Sequence, residues 1–254
     1  VIWFHAASLG EFEQGFPIMQ MFRKKYPSYK ILVSFFSPSG YEIKKKSPVA
    51  DAVVYLPLDT PKNVKLFLKA AHPELAVFIK YEFWPNYLKE LKEQHIRTIL
   101  VSAGFRKDQV FFKKRGAWMK KSLETFEHIF VQNAKSQELL NSAGFENVTL
   151  SGDTRFDRVS SQIEQDNTLI PIEEFKDGKI CIVAGSTWPA DEILLDAFIK
   201  EAPENVKIII APHQITKEHI YRLCSNFPEA VLYSEKDRKD LKNSSLLIID
   251  NIGF

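Results

Sequence analysis

The chain has 254 residues, 45% of them hydrophobic and 26% charged; this composition excludes a disordered or collagen-like chain and suits one large or two ordinary domains. No apolar run approaches the ~20 residues of a membrane-crossing helix, and Cys181 and Cys224 lack metal spacing, so a disulfide framework and a zinc site are both disfavoured and a reducing setting is expected. The net charge of +2 divides unevenly, with 23 basic against 15 acidic residues in 1–155 and 11 against 17 in 156–254, so the two halves are expected to meet different partners.

In chain order, short β-branched and aromatic runs at 1–5, 30–36, 52–56, 75–79, 98–102 and 128–132 alternate with helical patterns at 11–25, 40–46, 61–71, 85–94, 109–124 and 134–143. The alternation predicts a parallel sheet wrapped by helices, one doubly wound domain over 1–155. After 148–150 come Ser151-Gly152-Asp153-Thr154-Arg155-Phe156-Asp157 and a polar stretch through Asp166. Strands at 180–184, 207–210, 231–233 and 246–249, with helices at 191–202 and 216–226, then predict a second Rossmann-like domain over 156–254. The chain opens without Met inside a strand and closes directly after the strand at 246–249, so it is expected to lack a segment at each end and to hold the second domain incomplete.

The first strand runs into Ala6-Ala7-Ser8-Leu9-Gly10-Glu11, a loop at the carboxyl end where doubly wound sheets hold ligands. Gly10 permits close approach of backbone to ligand. Glu11 can accept a proton from a hydroxyl, or can simply complement the helix dipole with Ser8 as cap. Ser37-Pro38-Ser39-Gly40 offers amides and hydroxyls for phosphate or sugar oxygens, or forms an ordinary turn. Glu82-Phe83-Trp84-Pro85-Asn86 brings a carboxylate and an indole to the same crevice, although Trp84 fits core packing equally.

In the second half, Ala184-Gly185-Ser186-Thr187-Trp188-Pro189-Ala190-Asp191-Glu192 and Ala211-Pro212-His213-Gln214 repeat the strand, polar loop, helix design. They suit a nucleotide phosphate, but GxGxxG and a Walker lysine are both missing, which disfavours an NAD enzyme and a P-loop ATPase. His213 alone reads as a hydrogen-bonded turn residue. Basic groups at 23–25, 44–46, 106–107, 113–115 and 120–121, the last three interleaved with Phe105, Phe111, Phe112 and Trp118, form a solvated face or meet an anionic membrane surface. No nucleic-acid fold signature accompanies them, which disfavours nucleic acid as a partner.

Taken together, Ser8-Leu9-Gly10-Glu11, Ser37-Pro38-Ser39-Gly40, Tyr55-Leu56-Pro57-Leu58-Asp59, Glu82 to Asn86, Gln132-Asn133, Gly152 to Asp157, and Ser186-Thr187 with Glu192 resemble the Kdo transferase family in order and spacing. That family attaches 3-deoxy-D-manno-octulosonic acid (Kdo) to the lipid A precursor of Gram-negative bacteria. The resemblance implies an α/β fold of GT-B type, two Rossmann-like domains facing across a cleft, with acceptor on the first and CMP-Kdo on the second. It implies Glu11 as catalytic base, an acceptor side of Ser8, Gly10, Ser37, Ser39, Gly40, Glu82, Trp84, Asn86 and Arg155, and a donor side of Ser186, Thr187, Glu192, Pro212, His213, Ile252 and Gly253. Work at the cytoplasmic face of the inner membrane is implied, with no metal and no cofactor, CMP-Kdo being a co-substrate. Departures are Lys80, where many relatives carry glutamate, Arg155 in place of the usual lysine, and Pro212-His213-Gln214 in place of Pro-Arg-His, which leaves the donor phosphate without the family's arginine at that place. The chain alone is expected to bind donor poorly.

The chemistry implied is an inverting single displacement, Glu11 deprotonating an acceptor hydroxyl while CMP leaves from the opposite face of the anomeric carbon, with the helix start near Ser186 and Thr187 facing the departing phosphate. A GT-B enzyme that uses a UDP-sugar, as transferase or epimerase, and a sugar-binding protein without catalysis are the competing classes.

Overall fold

In the computed structural model, which describes residues 1–113 and 116–251, the chain forms two compact units, Val1–Gln165 and Asp166–Phe254. The first is built on a seven-stranded, all-parallel sheet of order β3-β2-β1-β4-β5-β6-β7. Its strands are β1 (Ile2–Ala6), β2 (Ile31–Phe35), β3 (Ala52–Tyr55), β4 (Leu75–Ile79), β5 (Arg97–Ala103), β6 (His128–Val131) and β7 (Val148–Leu150). The helices between them are α1 (Leu9–Lys25), α2 (Pro38–Lys44), α3 (Pro61–Ala71), α4 (Pro85–Glu93), α5 (Ala117–Leu123) and α6 (Ala134–Ser142). Strand alternation divides the core between two faces. Trp3, Phe78 and Leu100 pack with Leu68 and Leu88 on one side, and Phe4, Val77 and Ile79 with Phe12 and Met19 of α1 on the other. Both faces are apolar, as a parallel sheet covered on both sides requires.

Two predicted segments differ from the structure. The helix expected over 109–124 divides into a 3-10 turn, Val110–Phe112, and α5; Gly116 lies so close to the Val110 carbonyl that a Cβ there would sit 1.6 Å from its oxygen, a geometry one continuous helix does not make. The polar stretch expected to 166 contains α7 (Thr154–Ile163), capped by Asp153 accepting from the Arg155 amide at 3.0 Å. Arg158 of α7 donates to Glu13 of α1 at 2.9 Å and lies over the Phe16 ring. This helix therefore belongs to the first unit, whose limit falls at Gln165 rather than at 155.

The second unit has α8 (Ile170–Lys176), β8 (Ile180–Thr187), α9 (Pro189–Glu201), β9 (Val206–Pro212), α10 (Lys217–Asn226), β10 (Val231–Leu232) and β11 (Leu246–Ile248). Its parallel sheet has the order β10-β11-β9-β8, with Ile208, Ile210, Leu246 and Ile248 packed against Leu223 and Phe227. Among the described residues no helix is long and apolar enough to cross a membrane.

Candidate active site

β1 and β4 are neighbours at the centre of the large sheet; the chain leaves β1 toward β2 on one side and β4 toward β5 on the other. At such a reversal the loops part and leave a crevice above the strand ends. The loop after β1 carries Ser8 and leads into the first turn of α1 with Glu11, and the loop after β4 carries Lys80, Glu82 and Trp84.

Glu11 occupies the third position of α1 and is half-buried. Its Oε2 accepts from the Ser8 backbone N–H at 2.9 Å and from the Ser8 hydroxyl at 3.3 Å. The capping role is thus filled, and neither bond uses Oε1. Burial raises the pKa of this carboxyl above its ordinary value, and Glu82 nearby pushes it the same way, against the Ser8 bonds and the Lys80 charge. Glu13, two residues on, differs. Although burial pushes its carboxyl up, Lys44 at 2.7 Å and Arg158 at 2.9 Å together hold it below the usual range.

Glu82 is 9% exposed and uses a single oxygen, Oε2, for two partners: the Trp84 indole N–H at 2.7 Å and the His5 Nε2 at 3.1 Å. Phe36 packs on Trp84 with ring centroids 5.0 Å apart. Beneath the crevice, Lys80 (φ +68°) and Ser102 (φ +54°) end β4 and β5 in the left-handed region, where a residue with a Cβ is strained and held only by its surroundings. Ser102 is so held: Gln132 Nε2 and the Thr154 hydroxyl each lie 3.1 Å from its oxygen, and Gln14 Oε1 lies 3.4 Å away.

The other expected acceptor residues fall around this crevice in different roles. Ser37 caps α2 by accepting from the Ser39 amide at 3.3 Å, and the two hydroxyls meet at 2.9 Å. Gly40 is a packing glycine, since a Cβ there would lie 2.2 Å from Phe35 Cδ1 and 3.1 Å from the Leu9 nitrogen. A Cβ on Gly10 would meet nothing within 4 Å, so space over the start of α1 is open. Asn86 gives its side-chain amide to the Asp59 carbonyl at 2.8 Å and lines a groove of about 650 Å³ with Lys89, Lys121 and Trp118, whose lining includes neither Glu11 nor Glu82. Arg155 pairs with Asp153, whose carboxyl it holds below the ordinary range; Lys80 contributes to the same lowering.

The aromatic residues interleaved with the basic groups mostly feed the core. Phe105 and Phe111 are buried and pack with Phe83, Phe112 is half-buried, and only Trp118 stands out at 62% exposure. Their spacing follows the turn at 110–112 rather than one helical face.

In the second unit, Ser186 takes φ +59° at the end of β8, and its hydroxyl lies 2.9 Å from His213 Nδ1. The His213 ring stacks on Trp188 at 4.3 Å. Thr187 and Glu192 are buried, bonded to each other at 3.3 Å, and Glu192 meets His219 Nε2 at 2.7 Å, so this carboxyl is occupied within the unit. Pro212 ends β9 beside Thr187. Ile252 and Gly253 lie outside the described residues. His5, Ser102 and His219 were not singled out by the sequence; the signal for His5 was a lone polar side chain in the apolar run Ile2–Ala6.

Residues 1–158 match the family model described as 3-Deoxy-D-manno-octulosonic-acid transferase (kdotransferase). The chain belongs to this family. It is 29% identical over 262 residues to the 3-deoxy-D-manno-octulosonic acid transferase of Rickettsia bellii, covering 100% of the chain and 62% of that protein. The Aquifex aeolicus enzyme of the same name is 29% identical over 225 residues, covering 87% of the chain and 56% of that protein. The chain thus spans little more than half the length of these Kdo transferases. Among solved structures, the UDP-GlcNAc 2-epimerase of Neisseria meningitidis bound to UDP-GlcNAc superposes with a TM-score of 0.64 at 11% identity, covering 100% of this chain and 72% of that one. The Methanocaldococcus jannaschii epimerase gives 0.64 at 13% identity, covering 100% and 73%. At such identities the likeness is one of fold, and it agrees with two Rossmann-like units of GT-B type.

Proposed function

We propose that the chain carries the acceptor side and part of the donor side of an inverting glycosyltransferase that moves Kdo from CMP-Kdo to a lipid A precursor. The reading rests on Glu11, a carboxyl of raised pKa at the sheet's reversal point, with one oxygen uncommitted and a second acid, Glu82, beside it. In the proposed step Glu11 takes the proton of an acceptor hydroxyl, the freed electron pair forms the bond to the anomeric carbon, and the bond from that carbon to phosphate breaks with its electrons on CMP. A base of raised pKa holds the abstracted proton more firmly than an ordinary carboxylate. Glu82 and Trp84 would orient the sugar and Arg155 would meet an acidic group of the acceptor.

On the donor side, Ser186 with His213 and the first amides of α9 would face the leaving phosphate, while Thr187 and Glu192 hold the loop. Trp118 with Lys120 and Lys121 would rest against an anionic surface at the cytoplasmic face of the inner membrane. The test is to supply the full-length protein with CMP-Kdo and a tetraacylated lipid A precursor and resolve products by mass. Addition of one or more Kdo units is expected; turnover of a UDP-sugar instead, or preference for UMP over CMP, would replace the donor assignment.

A further inference from the structure

β1 is apolar except for His5, whose side chain is fully buried. It lies on the face that carries Trp3, ringed by Trp3, Phe78 and Trp84 with centroids 5.7 to 6.3 Å away. β1 and β2 pair in a register that sets His5 opposite Ser34, and a continuous polar chain results. The Trp3 indole N–H donates to the Ser34 hydroxyl at 2.8 Å. That hydroxyl lies 2.8 Å from His5 Nδ1, with the Ser34 carbonyl at 3.2 Å. His5 Nε2 then reaches Oε2 of Glu82 at 3.1 Å. A polar run through an apolar core costs stability at every member that is not fully partnered, and here each member is partnered up to the last atom. Oε1 of Glu82 makes none of these bonds. The Glu82 side chain keeps 11% of its surface exposed, so it is not sealed within the core.

We propose that His5 is a positioning residue for the acceptor side: its Nε2–H holds Oε2 of Glu82 and thereby turns Oε1 toward the acceptor, with Ser34 and Trp3 fixing the ring. The proposal rests on the reading of Glu82 and Glu11 as acceptor-side groups. With Oε2 shared between His5 and Trp84, the carboxyl is restrained from two directions, which is how an outer partner sets the geometry of a group that touches substrate. His5→Phe preserves the packing against the surrounding rings and removes only the polar links. His5→Gln keeps an N–H able to reach Oε2.

In the full-length protein, His5→Phe is expected to lower kcat/KM for the tetraacylated acceptor by up to about 100-fold while leaving KM for CMP-Kdo unchanged, and His5→Gln to restore most of the loss. A residue needed only for packing would move the two KM values together and would gain nothing from glutamine. Glu11→Gln runs alongside as control. If it is inactive while a folded His5→Phe matches wild type in both constants, the positioning role is overturned. If Glu11→Gln keeps full turnover, the base assignment fails instead. Histidine 15N spectra of the unaltered protein decide His5 without any variant: hydrogen on Nε2 supports the link to Glu82, and a bare Nε2 with hydrogen on Nδ1 overturns it.

Discussion

Trp84 donates its indole N–H to Oε2 of Glu82 at 2.7 Å, so an aromatic ring that could stand against a sugar also anchors the acid beside it. Trp84→Phe keeps the ring and removes the donor. A lost hydrogen bond to a carboxyl group costs about 1 to 3 kcal/mol, and urea unfolding of the variant should fall in that range. Binding of the acceptor should weaken as well; an unchanged midpoint and unchanged affinity would show that the bond does not matter.

Gly40 and Gly10 flank the same crevice and should respond oppositely. Gly40→Ala forces a methyl group against Phe35 and the Leu9 nitrogen, which should destabilise by about 1 to 3 kcal/mol. Gly10→Ala enters open space within a helix and should leave stability equal or raise it by up to ~1 kcal/mol. Thermal unfolding of both variants checks the contrast.

The raised pKa of Glu11 fixes a sign for stability against pH. A carboxyl that binds its proton more tightly when folded contributes stability below its unfolded pKa and loses it as pH rises through the folded value. The ordinary value is 4.5. Glu11→Gln should therefore gain stability relative to wild type near pH 7, and the gain should vanish as pH falls below 4.5. Denaturant titrations across that range would show it; a gain that grows toward acid would contradict the direction.

In the second unit, His219→Leu would leave the Glu192 carboxyl, 4% exposed, with the Thr187 hydroxyl as its remaining partner. Leaving a buried polar group short of partners costs about 1 to 3 kcal/mol. Hydrogen exchange in β8 and α9 should accelerate accordingly, while exchange in β1 and β4 stays as it was.

Much of this was legible in the chain itself. The strand at 75–79 and the helix at 61–71 follow from alternation and periodicity, and the loops after the first and fourth strands put Glu11 and Glu82 at one crevice, although the strand order that makes it a reversal came only with the structure. What stayed hidden depends on contacts distant in sequence or on backbone angles that residue type does not announce. His5 reads as one more core position until Glu82, 77 residues away, is brought to it. Lys80 and Ser102 adopt left-handed angles without being glycine. In α7, Phe156, Val159 and Ile163 recur at helical spacing, but the polar residues between and after them dominate the stretch to Asp166, and the helix was not legible in it. Thr187 and Glu192 looked alike as ligand groups, though burial turns them toward each other.

The most direct test is the turnover of Glu11→Gln in the full-length protein, with folding verified by its unfolding midpoint. A general base contributes about 100- to 10,000-fold, so kcat for Kdo transfer should drop by that factor, and the acid limb of the wild-type kcat/KM profile, which reports the free protein, should follow a group titrating above the ordinary carboxyl value of 4.5. A folded variant that turns over at the wild-type rate would mean that another group takes the proton.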